Sequence, residues 1–294
     1  MVRYLPWLFL LPLAQGSTML DPADAPGVTA ADYQNLAAGY TSVGKVGGSG
    51  QAGSGVLISD RWVLTAGHVS IGKAGGTFTI GGNTYTVSTA TTYPGFFSTS
   101  VGNDLGLLYL SAPVTGVDPA IMLSTQGGLM GESSVWVGYG FTGNGTTGYS
   151  FALNEKRAFT NVIDFYGPKY GVASTSFVSD FDRPGDPTSN AEDSNPSATT
   201  LEGNVAPGDS GGGVFIKRGG KDYLVGTISY LASFDGTGNA DYGDLSGATN
   251  LDLYYSWIAQ QTGIQAVPEP SVGLLAAMPL LLCWHRRRQR QEEG

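Results

Sequence analysis

The 294-residue chain contains one cysteine and two histidines. The cysteine, Cys283, lies close to the C-terminus, so no intrachain disulfide can form. Without cross-links the chain must hold together by its packed core; disulfides are the usual device of small secreted domains. Charge is scarce as well. Charged residues make up 13% of the chain, and the formal net charge is −9. An acidic balance argues against nucleic acid as a partner, because phosphate binding needs clustered Lys and Arg. The one basic cluster is "RRRQR" at 286–290. Long apolar runs are also missing. The two that exist, Leu5 to Leu13 and Val272 to Trp284, both fall short of the roughly 20 residues a spanning helix needs.

What the chain does have is glycine and β-formers. Glycine occurs 45 times, and hydrophobic residues account for 41%. From Val43 onward, short apolar runs rich in β-branched residues alternate with Gly-, Asn- and Asp-containing turns. Examples are "SGVLIS", "RWVLTA", "GTFTIGG", "NTYTVST", "LGLLYL", "SSVWVGYG", "YGVASTSFV", "GGVFIK" and "DYLVGTISY". Strands of five to eight residues at this spacing predict an all-β sandwich or barrel. Two segments are compatible with a helix. One is "AADYQNLAAG" in a 17–40 leader segment. The other is "ATNLDLYYSWIAQQTG", where Leu251, Tyr254, Tyr255 and Ile258 follow the i, i+3, i+4, i+7 pattern and Gly263 can end the helix.

Both ends read as addresses. The first 16 residues place one Arg, an apolar run and then small residues (Ala14, Gly16) in the order of a secretory signal peptide. The segment 265–294 contains Pro268-Glu269-Pro270, an apolar stretch and the basic patch. That order resembles the PEP-CTERM sorting tail of Gram-negative bacteria. The resemblance implies export across the inner membrane, transient membrane contact and processing by an exosortase, leaving the protein at the cell surface or outside the cell. The apolar stretch is short for such a tail and contains Pro279.

Two loops carry a weaker signal. Residues 180–197, "DFDRPGDPTSNAEDSNPS", are acidic and Pro-broken. They read either as a calcium loop or as an ordinary solvated acidic loop; the EF-hand pattern is absent. "NGT" at 144–146 matches a glycosylation acceptor but reads as a turn in a bacterial chain. No cofactor and no metal site are expected.

Three residues suggest chemistry. His68, in "RWVLTAGH", is the only imidazole outside the tail, so any general base working near neutral pH is His68. Asp104, in "VGNDLGLLYL", leads an apolar strand, where a carboxylate needs hydrogen bonds to be tolerated. Ser210, in "APGDSGGG", precedes two glycines that allow close approach of a ligand. In this order, "LTAGH", "NDLGLL" and "PGDSGG" resemble the trypsin/chymotrypsin family. "WVGYG" at 136–140, "LVGTISY" at 224–230 and the terminal helix around Trp257 add to the likeness, which spans about residues 42–262.

The resemblance implies two six-stranded antiparallel β-barrels with a short C-terminal helix. The first barrel is expected over 41–120 and the second over 121–264, with the active site between them. It implies a His68, Asp104, Ser210 triad, an oxyanion hole from the Gly208 and Ser210 amides, and protein or peptide substrates. It puts Asn204 at the base of the primary pocket, with Ser229, Tyr230 and Leu231 along the substrate. Asn204 stands where a trypsin-type pocket has Asp. Leu231 stands where Gly is common, so small or medium side chains are expected unless Glu202 points inward. The positions of a common family disulfide are Gly53 and Val69, and the usual Pro after "GDSGG" is Gly213. In the family, the position of Asp209 often pairs with a freed Ile or Val terminus. Here "KVGG" at 45–48 lies too close to His68 for that cut, so a residue of the 17–40 leader or a built-in partner must satisfy Asp209. The competing reading is a catalytically silent, protease-like binding module at the cell surface or in the extracellular matrix.

Overall fold

A computed structural model describes residues 17–269, apart from 126–127, 151–154, 190, 192–193, 196 and 234–236. The expected signal peptide and nearly all of the sorting tail lie outside the described residues.

The chain opens with β1 (Ser17–Met19) and α1 (Ala30–Ala38). Asp32 closes a capping box with Thr29 at the start of α1, and Tyr33 and Ala37 turn its buried face inward. Six strands then form a closed antiparallel barrel: β2 (Val43–Gly47), β3 (Gly53–Leu57), β4 (Trp62–Thr65), β5 (Thr77–Ile80), β6 (Asn83–Thr92) and β7 (Gly106–Leu110). A single turn of helix, α2 (Gly67–Ser70), follows β4. The barrel is filled by Val46, Leu57, Val63, Phe78, Val87 and Leu108, all buried. These come from the alternating and apolar runs visible in the sequence. Lys45 of "KVGG" lies inside β2, paired with Ser54 and Thr79.

The second half begins with the short β8 (Leu123–Ser124). Its main sheet uses β9 (Ser133–Gly138), β12 (Arg157–Val162), β13 (Phe165–Tyr166), β14 (Ser176–Asp180), β16 (Gly213–Arg218), β17 (Lys221–Ala232) and β18 (Leu245–Asn250), in the order β12-β9-β16-β17-β18-β14-β13. A smaller sheet joins β1 to the hairpin β10 (Thr142–Asn144) and β11 (Gly148–Ser150) and to β15 (Gly203–Asn204). The fold class is the one expected: mostly β, two barrel-like halves and few helices. The second half differs in detail. Its sheet has seven strands and stays open, with β12 and β13 at its two ends; near the gap Asn161 Nδ2 donates to Asp180 O, at the end of β14, at 2.6 Å.

The terminal helix is shorter than its apolar periodicity suggested. Ala248 to Asn250 finish β18, Leu251–Leu253 form a 3-10 turn, and α3 runs from Tyr255 to Thr262. Pairing of Ala248 and Thr249 with both β14 and β17 overrides the helical pattern there. Gly263 ends α3 in the left-handed conformation, φ 75°. Between the halves lies a shared core. Val56, Leu64 and Leu107 from the first barrel meet Val137, Phe215 and Leu224 from the second, with Tyr254 and Ile258 closing one side.

Candidate active site

The cleft above this shared core is about 380 Å³ and is lined by His68, Ser210, Val205, Ser229, Tyr230 and Leu231, among others. Each half delivers its groups by a different local device. β4 runs into α2, which projects His68 from its first turn. Asp104 sits just before β7 and is 1% exposed. Its carboxylate is almost completely used. Oδ1 accepts the His68 backbone N–H at 2.9 Å, and Oδ2 lies 2.8 Å from His68 Nδ1. An ionised carboxylate only accepts, so this contact places the proton on Nδ1. Oδ2 also accepts the Ser229 hydroxyl at 2.5 Å. Ser229 falls at the register shift in the β17–β18 ladder, between Ile228 and Tyr230. Such a bulge re-aims one side chain, here toward Asp104.

Ser210 precedes β16, in a tight loop tied down on several sides. Ser54 N donates to Ser210 O at 2.7 Å, and Ser54 Oγ donates to Gly208 O at 3.0 Å while accepting Tyr139 N–H. The first barrel therefore clamps the loop of the second. Gly208 has φ 104°, and a Cβ there would stand 3.0 Å from Gly140 Cα, so a side chain is disfavoured on both counts. Among the described residues, neither the Gly208 nor the Ser210 amide N–H donates to another residue. Two free amides beside one hydroxyl make a place for a developing negative charge. Gly53 packs under the same loop. A Cβ on it would stand 2.7 Å from Ser210 O and 2.9 Å from Val69 Cγ2. The positions expected to replace a disulfide are thus neighbours, held by close packing alone.

The sequence matches the model of the trypsin-like peptidase domain over residues 53–226. The chain belongs to the trypsin-like peptidase family. In fold, this trypsin-like peptidase is similar to the solved structure of HL collagenase, with a TM-score of 0.58 and 16% identity. The match covers 77% of this chain and 95% of that one. At that identity the likeness is one of fold. No curated protein matches the sequence.

One expectation about specificity needs correction, and one condition is answered. Asn204 does not line the cleft. It is fully buried on β15, where its Oδ1 accepts the Ser246 hydroxyl and Val205 N–H, and Val205 and Ala206 form the wall in front of it. Glu202 does not point into the cleft either. It is buried, and its Oε2 accepts the Thr199 amide and hydroxyl, each at 2.5 Å. Burial holds the Glu202 carboxyl well above the usual carboxylate range. Tyr230 and Leu231 do line the cleft, joined by Gln51 and Thr99, which sequence reasoning missed. Tyr230 is fixed by a 2.6 Å hydrogen bond between its hydroxyl and Ser176 Oγ.

Asp209, beside Ser210, is completely buried. It accepts Gly140 N–H at 2.7 Å, Ala206 N–H at 2.8 Å and the Ser17 hydroxyl at 3.0 Å. Burial pushes its carboxyl up to about 6, against the pull of these donors and of Arg157. Ser17 opens the 17–40 leader segment, directly after the expected end of the signal peptide, and is the leader residue that meets Asp209.

Proposed function

We propose that this trypsin-like peptidase is an exported serine endopeptidase that works through an acyl-enzyme. Ser210 attacks the peptide carbonyl while His68 Nε2 takes its proton. Asp104 orients the imidazole through Nδ1–H and stabilises the imidazolium. The Gly208 and Ser210 amides hold the oxyanion, and His68 returns the proton to the leaving amine before water releases the acyl group. These roles follow the general template for this triad; the single observation that carries them here is the hydrogen-bonded His68–Asp104 pair opening on the same cleft as Ser210 and two free amides.

Specificity for small or medium uncharged side chains is supported by the lining of that cleft. Val205, Ala206 and Leu231 narrow it, and among the described residues no carboxylate lines it. Export through the 1–16 signal peptide, and sorting through the 265–294 tail by an exosortase-type enzyme, complete the proposal. Fluorophosphonate labelling with Ser210→Ala as control tests the triad. No labelling of the folded protein freed of its signal peptide favours the silent binding module. A peptide library tests specificity, where a dominant Arg/Lys or Phe/Tyr preference overturns the small-residue reading.

A further inference from the structure

The loop that carries Ser210 holds its shape through its carbonyls. Ala206 O accepts Asp209 N–H at 3.0 Å, Pro207 O accepts Phe141 N–H at 2.8 Å, and Asp209 O accepts Gly212 N–H at 2.8 Å. Ser210 O accepts Ser54 N–H at 2.7 Å. All four donors are backbone amides. Gly208 O differs. Its donor is a side chain, the Ser54 hydroxyl, at 3.0 Å. The direction of that bond is fixed. Tyr139 N–H donates to Ser54 Oγ at 2.9 Å, so the hydroxyl accepts there and directs its own O–H at Gly208 O, which can only accept.

The Gly208–Asp209 peptide plane lies between the two that carry the free amides. Gly208 N–H shares a plane with Pro207 O, and Ser210 N–H shares one with Asp209 O. Backbone amides fix both outer planes through those oxygens. The plane between them sets their angle to one another. Gly208, at φ 104°, has no Cβ to restrict rotation there. Ser54 Oγ is therefore the group that holds the middle plane. Ser54 itself is firmly seated. It is fully buried on β3 and is not among the residues lining the cleft. Its carbonyl accepts the Thr65 hydroxyl at 2.7 Å, which ties it to the end of β4, the strand that runs into His68.

We propose that the Ser54 hydroxyl is a positioning residue for the oxyanion hole. It holds the Gly208–Asp209 plane so that the Gly208 and Ser210 amides converge on one point, and it does so from the opposite half of the molecule. Ser54 acts through Gly208 and does not meet the substrate. Its effect falls on the transition state, where negative charge gathers on the carbonyl oxygen, and not on binding of the uncharged substrate. The bond from Ser54 N–H to Ser210 O belongs to the backbone. It survives substitution of the side chain, so the part played by the hydroxyl can be isolated. This inference rests on Ser210 being the nucleophile.

The test uses the chain freed of its signal peptide and otherwise complete, with the peptide it cleaves best in a library. Fluorophosphonate labelling taken to completion counts the folded sites, and kcat and KM are measured per labelled site. Ser54→Ala is expected to lower kcat about 10- to 100-fold, somewhat less than the loss of a whole oxyanion donor, with KM within about threefold. The pH profile of kcat/KM should keep its shape, since His68 and Asp104 are untouched. Ser54→Thr restores the hydroxyl and should recover most of kcat. A peptide boronic acid forms a tetrahedral adduct with an oxygen in the hole. Its affinity for Ser54→Ala should fall by about the same factor as kcat, whether or not the larger Ser54→Thr side chain is accommodated. An unchanged kcat per site, a rise in KM at constant kcat, or a boronate affinity equal to the parent's overturns the proposal and leaves Ser210 as the nucleophile. A parent that folds but neither labels nor cleaves removes the catalytic reading of Ser210, and this proposal with it.

Discussion

The first barrel and the second half solve the same problem by different means. The first closes on itself, so its backbone groups pair within the barrel and its interior can be wholly apolar. The second stays open, and buried polar groups gather around it. Arg157, Asp180, Asp182, Glu202, Asn204 and Asp209 are all buried there. Some of them serve the opening directly, as where Asn161 bridges to Asp180 O. Others are satisfied by elements from elsewhere in the chain, as Asp209 is by Ser17. The half that carries the candidate nucleophile is therefore the half whose stability depends on titratable groups and on the N-terminal segment. The half that carries His68 and Asp104 is a closed barrel whose buried charged residues are Lys73 and Asp104.

That contrast can be broken or sharpened, starting with the largest effect. Ser210→Ala should lower peptide hydrolysis by about 10⁴-fold or more while thermal unfolding stays nearly unchanged. Ser229→Ala removes one donor from Asp104 without touching His68. It should cut the labelling rate about tenfold, measured with the fluorophosphonate probe. Gly53→Ala tests whether the closed half clamps the nucleophile loop. Overpacking against Ser210 O should cost roughly 1–3 kcal/mol in denaturant unfolding and slow labelling at the same time. If stability falls but labelling does not, the clamp is not functional.

The smallest effect concerns pH. Burial raises Asp164 to about 8 and Asp182 to about 7, and lifts Glu202 as well. Unfolded, these groups titrate near 4. From about pH 4 to about pH 8 the folded chain therefore holds protons that the unfolded chain has released, and stability falls as pH rises through that window. The melting temperature should drop between pH 5 and pH 8.5. Glu202→Gln should flatten the slope and raise the melting temperature at pH 8.5 by a few degrees, on the order of 1 kcal/mol. A slope unaffected by this change would place the sensitivity elsewhere.

The same contrast explains what could be read from the sequence. The first barrel was legible because its strands bury one face and show it as alternation, as in "GTFTI", or bury both and show it as an apolar run, as in "LGLLYL". The contexts of His68, Asp104 and Ser210 were legible because each stands at the edge of such a strand. β12, "RAFTNV", was missed because its buried face includes Arg157 and Asn161. The end of β18, Ala248 to Asn250, was taken into a helix because its strand pairing with two neighbours leaves no local apolar pattern. Asn204 was misplaced, and the orientation of Glu202 was left open, for a related reason. Position along the chain put them near the nucleophile, but hydrogen bonds to Ser246 and Thr199 turn them away from the cleft. Ser229 was expected along the substrate; its bond to Asp104 depends on a bulge that no local pattern announces.

Lys73 carries one more consequence. Its buried ammonium donates to the carbonyls of Ser49 and Gln51 at 2.7 and 2.6 Å, and so holds the segment that brings Gln51 to the cleft. Loop carbonyls are common ligands of divalent ions. Here the cation is covalently part of the chain, so chelators cannot strip it and ions in the medium cannot exchange with it. Only alkali can release that hold, and sooner than for an ordinary lysine, because burial lowers the proton affinity of Lys73.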